Sequence, residues 1–311
     1  MRKRCCGTAS AHRNEDDTIA LLFQQIVNAI AIGGIYALMS VGYALIYSLL
    51  MFTNFSHGVA VTFGSYAIYI AMTQLTENFY VGMIFGVLVG AVIALIIELT
   101  AYKPLLTRNA ARSSLTIIGL GVSTIGTNLI ILIFSSRFKI IPTDFGGKSL
   151  HLFGAYFSLI DIVIIAICLV MLLGVQLLIN RSRLGLAIRA ASHNLDSTAS
   201  MGVNVQKLLT IVFVLAGAMA GMAGVMTATK YQAYPSLAAT MTNKAFIAAV
   251  VGGLGSLEGA VVGSFVLALS EVLVAGYISS ELRDLVSYML LIIILLVRPR
   301  GLMGKRLDDK A

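Results

Sequence analysis

Residues 159–179 read LIDIVIIAICLVMLLGVQLLI, with a single charged side chain at Asp161. An α-helix rises about 1.5 Å per residue, so this run can cross a hydrocarbon core of about 30 Å. The small and polar stretch RAASHNLDSTASMG (189–202) precedes the next apolar run, LLTIVFVLAGAMAGMAGVM (208–226). Long apolar runs joined by short polar connections predict an all-α protein that crosses a membrane many times.

The composition of the whole chain agrees with this prediction. Of 311 residues, 58% are hydrophobic and 12% are charged, and the mean hydropathy is +0.92. The net charge of +8 comes from Lys and Arg scattered over short connections and tails, which is typical of membrane proteins, so we expect no nucleic-acid partner. Cys5, Cys6 and Cys168 lack the spacing of metal ligands, and we expect no metal site.

Ten apolar stretches set the predicted topology. Eight are long enough to span, at 20–47, 59–75, 81–102, 114–134, 157–179, 207–229, 257–277 and 284–297, and two are short, at 49–58 and 244–254. Basic residues after the third, fifth and last long stretches predict that these connections are cytoplasmic. If each short stretch is a short or broken helix that carries the chain back across the membrane, the amino and carboxyl termini both lie in the cytoplasm. We therefore predict a cytoplasmic tail at 1–18, one transmembrane domain at 19–298 and a second cytoplasmic tail at 299–311.

Glycines recur at the four-residue spacing that lets membrane helices pack closely. The predicted packing residues are Gly82, Gly86 and Gly90, then Gly217 and Gly221, and finally Gly255, Gly259 and Gly263.

Few side chains point to chemistry inside the membrane. GGKS (146–149) resembles the end of a phosphate-binding loop, but Pro142 stands where that loop needs Gly, so we expect no nucleotide site. Glu271 lies well inside a long span, where it either hydrogen-bonds to neighbours or lines a path. Asn54 and His57 lie in the short stretch 49–58, and from their positions we predict that they line the same path. We expect no catalytic residues.

Residues 187–202, here called the surface segment, are too polar to span. On a helix, Leu184, Ile188, Ala191, Leu195 and Ala199 share one face. The opposite face carries Arg189, Ala190, His193, Asp196, Ser197 and Ser200. This pattern predicts a helix along the cytoplasmic surface, which either anchors itself among lipid headgroups or docks another protein.

Four stretches in order resemble the permease subunit of ABC importers of the branched-chain amino acid family. They are NFSHG (54–58), RSRLGLAIRAASHNLDSTASMGVNV (181–205), KAFIAAVVGGLGSLEGAVVG (244–263) and VRPRGLMG (297–304). The resemblance covers nearly the whole chain from about residue 22. The chain departs from the family in its longer charged tail and in Glu258, where Pro is common.

The resemblance implies a transport subunit of a bacterial inner membrane that works with other chains. An extracytoplasmic binding protein would deliver branched-chain or related small amino acids, and two permease subunits would form the path. Cytoplasmic ATPase subunits would use the ATP, and this chain would bind no cofactor. The surface segment would be the coupling helix, with the ATPase contacting Arg189, Ala190, His193, Asp196, Ser197 and Ser200.

Two other functions were weighed against this one. A secondary transporter or channel without an ATPase would use glycine-rich broken helices equally well, but it would not need a coupling segment. An intramembrane hydrolase would need a paired nucleophile and base, and adjacent Ser56 and His57 point about 100° apart on a helix.

Overall fold

The computed structural model describes residues 7–108, 110–143, 149–152 and 155–304 of the chain. The helices are α1 (Gly7–Leu50), α2 (His57–Ile70), α3 (Phe79–Ile97), α4 (Lys103–Thr107), α5 (Arg112–Phe134), α6 (Leu159–Arg181), α7 (Arg183–His193), α8 (Leu195–Ser200), α9 (Val205–Lys230), α10 (Leu237–Gly252), α11 (Leu257–Tyr277) and α12 (Arg283–Val297). Strands β1 (Ser149–Leu152) and β2 (Ala155–Ser158) form a small antiparallel hairpin between α5 and α6. The fold is that of an all-α polytopic membrane protein, as predicted.

Seven helical runs in the described chain are long and apolar enough to span a membrane. They are Leu21–Leu50, His57–Leu75, Phe79–Thr107, Arg112–Phe134, Leu159–Arg181, Val205–Lys230 and Leu257–Tyr277. Two of them include π-helical turns, which extend α2 over Ala71–Leu75 and join α3 to α4 over Glu98–Tyr102. The predicted eighth long span is α12, which has only 15 residues. The second predicted short helix is α10, which begins at Leu237 and has 16 residues.

The stretch 49–58 is a break between two helices, one of the two predicted alternatives, but it does not carry the chain across the bundle as predicted. The backbone leaves the helical region at Met51, where φ is 51°, and helix resumes at His57. The His57 ring lies against Gly42 of α1, about 12 Å along the helix from its end at Leu50. Irregular backbone therefore lies inside the bundle, where protein covers it, as membrane proteins require.

The two ends of the described chain lie on opposite faces of the bundle. Near Leu21, where the spanning part of α1 begins, Gln25 lies against Gly276 at the end of α11. At the other face, Gly253 after α10 contacts Arg300, which follows α12. The described ends of the chain therefore do not lie on one face, as the prediction of two cytoplasmic tails requires. The break at 51–56 adds no pass, whereas α10 and α12 each add one to the seven long runs, so the described chain passes through the bundle nine times.

The structure describes only part of each predicted tail. Residues 7–18, predicted as part of a cytoplasmic tail, continue α1. Residues 1–6, which include Cys5 and Cys6, and residues 305–311 of the second predicted tail lie outside the described residues. The basic connections lie on the face of the surface segment, so the positive-inside rule predicts that this face is cytoplasmic and that the start of the spanning part of α1 lies on the opposite face.

Cysteine labelling tests the corrected topology. In a chain whose Cys5, Cys6 and Cys168 are replaced with Ser, a membrane-impermeant maleimide added to intact cells should label Gln24→Cys and Ser280→Cys, because both positions are expected on the outer face. It should label Ser200→Cys only after the membrane is permeabilised. If Gln24→Cys also needs permeabilisation, the orientation of α1 is wrong.

Two of the predicted glycine stripes face each other across α3 and α9. A Cβ at Gly90 would lie 2.6 Å from the Cα of Gly221, and a Cβ at Gly217 would lie 2.7 Å from the carbonyl oxygen of Gly90. A Cβ at Gly86 would lie 2.3 Å from the Val225 side chain, whereas one at Gly82 would make ordinary contacts at 3.4 Å or more. The backbones of α3 and α9 touch because these residues lack side chains.

The third stripe joins α10 to α11, except at its first member. Gly259 and Gly263 on α11 lie against the backbone of Gly252 and Ala248 on α10. Gly255 lies in the turn before α11 with φ +84°, a backbone conformation that favours glycine, so its prediction as a helix-packing residue is wrong.

Replacing Gly263 with Ala should destabilise the subunit by about 1–3 kcal/mol, the usual effect of overpacking. The new methyl group would lie 2.2 Å from the carbonyl oxygen of Ala248, so one helix has to move. Gly174→Ala is the matched control, because a Cβ at Gly174 has nothing within 4 Å. Thermal unfolding in detergent should show a lower midpoint for Gly263→Ala alone, and equal midpoints for the two variants would contradict the close contact.

Candidate functional site: the surface segment and the cleft beside it

The surface segment is two helices, the second half of α7 and the whole of α8, rather than the single helix predicted. The side chain of Asn194 separates them, because its Oδ1 accepts a hydrogen bond from the Ser197 amide at 3.0 Å and caps α8. In the same way Ser182 caps α7 and Asn204 caps α9. Gly202 follows α8 with φ +87° and ends the segment. Ser, Asn and Gly at these positions are the residues that start and stop helices.

The break at Asn194 changes which residues face the protein. Ile188 and Ala191 are buried, as predicted from the helical spacing. In α8, however, Thr198 is buried and Ala199 is exposed, because the break shifts the register of the second helix. The predicted docking residues Arg189, Ala190, His193, Asp196, Ser197 and Ser200 are all exposed.

The surface segment is firmly joined to α6. A Cβ at Gly185 would lie 2.0 Å from the carbonyl oxygen of Ile179, so the start of α7 rests directly on the end of α6. The Arg189 guanidinium donates a hydrogen bond to the same carbonyl oxygen. This bond satisfies one of the acceptors left free at a helix end. A displacement of the segment therefore has to move the end of α6.

A cleft of about 1740 Å³ opens beside the surface segment. Its walls come from the ends of α1 and α6, from α7 and α8, from the start of α11 and from the residues after α12. Polar side chains in these walls include Ser48, Gln176, Asn180, Arg189, His193, Asp196, Glu258 and Arg300. The exposed residues of the segment thus border a wide polar opening on its own face of the bundle.

The predicted path residues Asn54 and His57 lie together at the break before α2. Asn54 Oδ1 accepts hydrogen bonds from the Tyr102 hydroxyl at 2.7 Å, the Ser56 hydroxyl at 2.7 Å and the Ser56 amide at 3.1 Å. Asn54 therefore holds the break in shape. His57 is also buried, and its Nε2 makes no hydrogen bond within the described residues.

Glu271, the third predicted path residue, belongs to a separate buried ion cluster. Its Oε1 lies 2.7 Å from Nζ of Lys244 on α10, and its Oε2 accepts a hydrogen bond from the Tyr36 hydroxyl of α1 at 2.9 Å. Lys244 also lies 2.7 Å from Asp284 Oδ1 and 2.9 Å from the Ser287 hydroxyl, both on α12. The cluster joins four helices, so Glu271 is fully engaged in holding the bundle together.

The sequence analysis missed Lys244 as the partner of Glu271. Both are lone charged residues in otherwise apolar stretches, and such charges pair inside membranes. The presence of two lone charges of opposite sign in apolar stretches is the sequence signal from which the pairing of Lys244 with Glu271 could have been predicted. Among the described residues, no group of three or more His, Cys, Asp and Glu is arranged to hold a metal ion.

Comparisons with known proteins match nearly the whole chain. A family model described as branched-chain amino acid transport system / permease component matches residues 25–295. The chain is 33% identical over 295 residues to the high-affinity branched-chain amino acid transport system permease protein LivH of Salmonella typhimurium, covering 91% of this chain and 95% of the relative. It is equally 33% identical to the permease protein BraD of Pseudomonas aeruginosa, with the same coverage of both chains.

A third relative matches a similar share of the chain at lower identity. The probable branched-chain amino acid transport permease protein LivH of Methanocaldococcus jannaschii is 28% identical, covering 89% of this chain and 90% of the relative. The family model includes the surface segment and nearly all of the membrane helices described above. The chain belongs to the family of branched-chain amino acid transport system permease components.

Proposed function

We propose that this chain is the membrane-spanning subunit of an ATP-driven importer for branched-chain or related small amino acids. The substrate class is taken from the names of the relatives, which are branched-chain amino acid permeases. The observation that carries the ATP-driven mechanism is the surface segment, whose exposed residues are mostly small or polar and whose other side is fixed to α6. A secondary transporter has no use for such a docking surface.

In this proposal an ATPase subunit binds the surface segment from the cytoplasm and does the chemical work. This chain then needs no nucleotide site, catalytic residue or cofactor. The partners are cytoplasmic ATPase subunits, a second permease subunit and an extracytoplasmic binding protein. The binding protein would deliver substrate to the face that carries the β-hairpin and the start of α1.

The packing of α6 and α9 offers a route for the mechanical step. The surface segment joins α6 directly to α9, and glycines hold α9 in backbone contact with α3. Packed interfaces shift as units rather than deform continuously. A pull on the segment by the ATPase would therefore move α9 and the helices on it. His57, buried at the start of α2 and without a partner at Nε2 among the described residues, is the predicted path residue that this movement would expose to substrate.

Purification of the complex through a tag on this chain tests the proposal. An ATPase and a second permease subunit should copurify, and proteoliposomes should take up leucine, isoleucine or valine only with ATP and a binding protein. Uptake that persists without the ATPase subunit would overturn the proposal and favour a secondary transporter or channel.

A further inference from the structure

Two openings lie along the contact between α1 and α6, one on each face of the bundle. The first, here called the outer pocket, has a volume of about 430 Å³ and lies on the face opposite the surface segment. Its walls are Leu21, Gln24, Gln25, Val27 and Asn28 of α1, with Ser158 and Asp161 at the start of α6. The second opening is the cleft beside the surface segment. Its walls include Val41, Leu45 and Ser48 of α1, and Leu172, Val175, Gln176 and Ile179 of α6.

Between the two openings α1 and α6 are in close contact, here called the α1–α6 seam. The side of α6 that runs from the pocket to the cleft carries, at spacings of three, four and four residues, Asp161, Ile164, Cys168 and Leu172. Cys168 is 1% exposed and lies about 14 Å along α6 from its start, near the middle of the membrane. A Cβ at Gly34 of α1 would lie 3.0 Å from the Cβ of Cys168. The contact of Gly34 with Cys168 therefore closes the seam between the pocket and the cleft.

The outer pocket carries groups that suit both charged ends of an amino acid. Nζ of Lys230, at the end of α9, forms an ion pair with Asp161 Oδ1 and donates a hydrogen bond to Asn28 Oδ1 at 2.8 Å. The ion pair uses Asp161 Oδ1, which leaves Oδ2 able to accept from the ammonium group of a ligand. The carboxamides of Gln24 and Gln25 can donate to a carboxylate. A volume of about 430 Å³ is in the range of small-molecule pockets, about 300–1,000 Å³.

Helix α6 connects the outer pocket to the surface segment. Asp161 lies in the first turn of α6, and the last turn carries the Ile179 carbonyl oxygen that accepts a hydrogen bond from Arg189. A pull on the surface segment therefore acts on the same helix that lines the pocket. Because packed helices shift as units, a movement of α6 away from α1 would separate Gly34 from Cys168.

We propose that the α1–α6 seam is the part of the substrate path that this subunit supplies. A branched-chain or related small amino acid enters the outer pocket as a zwitterion, and Asp161 binds its ammonium group. The substrate passes Gly34 and Cys168 when α6 moves, and it leaves through the cleft. The inference rests on the proposed function, to which it adds the route, the contact that closes it and the group that recognises the substrate.

A disulfide across the closed contact tests the proposal in proteoliposomes that hold the whole transporter. Gly34→Cys, in a chain with Cys5→Ser and Cys6→Ser, places a thiol beside Cys168. Only a small shift is needed to reach the Cβ–Cβ distance of a disulfide, about 3.5–4.5 Å. Oxidation with copper phenanthroline should abolish ATP-dependent leucine uptake, and dithiothreitol should restore it. Leucine uptake by the fully cross-linked transporter would overturn the proposal.

A second disulfide provides the matched control. A Cβ at Gly82 of α3 would lie 3.5 Å from the Cβ of Ala71, so Gly82→Cys with Ala71→Cys can join α3 to the end of α2. In a chain whose native cysteines are replaced with Ser, oxidation of this pair should leave uptake unchanged. Equal loss of uptake in both cross-linked transporters would overturn the proposal, because the loss would then not be specific to the seam.

Photolabelling of the transporter without added cysteines gives a reading that does not depend on the folding of Gly34→Cys. A diazirine analogue of leucine, delivered by the binding protein, should form adducts with the residues of α1 and α6 that line the outer pocket. Asp161→Asn should reduce these adducts, whereas Glu281→Gln, which removes an exposed carboxylate before α12, should not. Adducts confined to other helices, or equal labelling of Asp161→Asn and the unsubstituted chain, would overturn the proposal.

The same experiments separate this inference from the proposed function. If the unsubstituted transporter takes up leucine with ATP but the disulfide and the photolabel give the contrary results, only the route along the seam is wrong. If the unsubstituted transporter takes up no leucine with ATP and a binding protein, the proposed function fails as well.

Discussion

Lys244→Met should destabilise the subunit by about 3–5 kcal/mol, because removal of one partner leaves the other charge buried and unpaired. Glu271 is 1% exposed, and its carboxylate would lose the only cation within salt-bridge distance of it in the described structure. The expected result is a sharp drop of folded subunit in membranes and of its thermal unfolding midpoint in detergent. Lys207→Met, which removes an exposed lysine at the start of α9, should change neither quantity.

A double variant tests whether Lys244→Met loses stability because Glu271 is left unpaired or for another reason. Lys244→Met combined with Glu271→Gln removes both buried charges, and a neutral pair inside a protein costs far less than one unpaired charge. The double variant should therefore recover most of the stability that Lys244→Met loses. Equal instability of the single and double variants would show that the ion pair is not what holds these helices.

Much of the fold could be predicted from the sequence because lipid imposes one rule on every span. Each backbone polar group in hydrocarbon has to be satisfied within its helix, so length and hydropathy identify the spans. The glycine spacing in α3 and α9 likewise followed from the need of close helices for small residues at Gly90 and Gly221.

The topology could not be predicted correctly, because it depended on two short stretches. Hydropathy does not distinguish a short helix that crosses, such as α10, from a break that does not, such as 51–56. The distinction lies in tertiary contacts. His57 returns to Gly42 inside the bundle, and Asn54 is fixed by Tyr102 from another helix. Neither contact has a signal in the local sequence, and a single wrong pass moves the amino terminus to the other face.

In the candidate site, too, the local features could be predicted from the sequence and the long-range contacts could not. The exposed residues of the surface segment follow from helical periodicity, which is local, and caps such as Asn204 can be read from the sequence. The roles of Asn54 and Glu271 depend on partners 48 and 235 residues away along the chain. Asn54 was predicted to line a path, and Glu271 either to hydrogen-bond to its neighbours or to line that path. The structure shows the hydrogen bonds of both residues, and the path stays a prediction.

A tryptophan on the surface segment should uncouple the transporter without unfolding this subunit. Ala190 on α7 and Ser197 on α8 are exposed and lie on either side of the break at Asn194. In the proposed complex the ATPase groove closes over small side chains, and an indole at either position adds bulk there. Misfit at the centre of an interface costs about 2 kcal/mol or more, which weakens ATPase binding roughly 30-fold.

Ala190→Trp and Ser197→Trp are therefore each expected to abolish most ATP-dependent uptake. The ATPase should either dissociate during purification or hydrolyse ATP without responding to the loaded binding protein. Binding of that protein to the outer face should be unchanged, because the substitutions lie on the opposite face of the bundle. Thr107→Trp places the same bulk at an exposed site on the same face but outside the segment, and it should leave uptake intact. Normal uptake and normal substrate-stimulated ATP hydrolysis in both segment variants would mean that α7 and α8 only anchor the protein at the membrane surface.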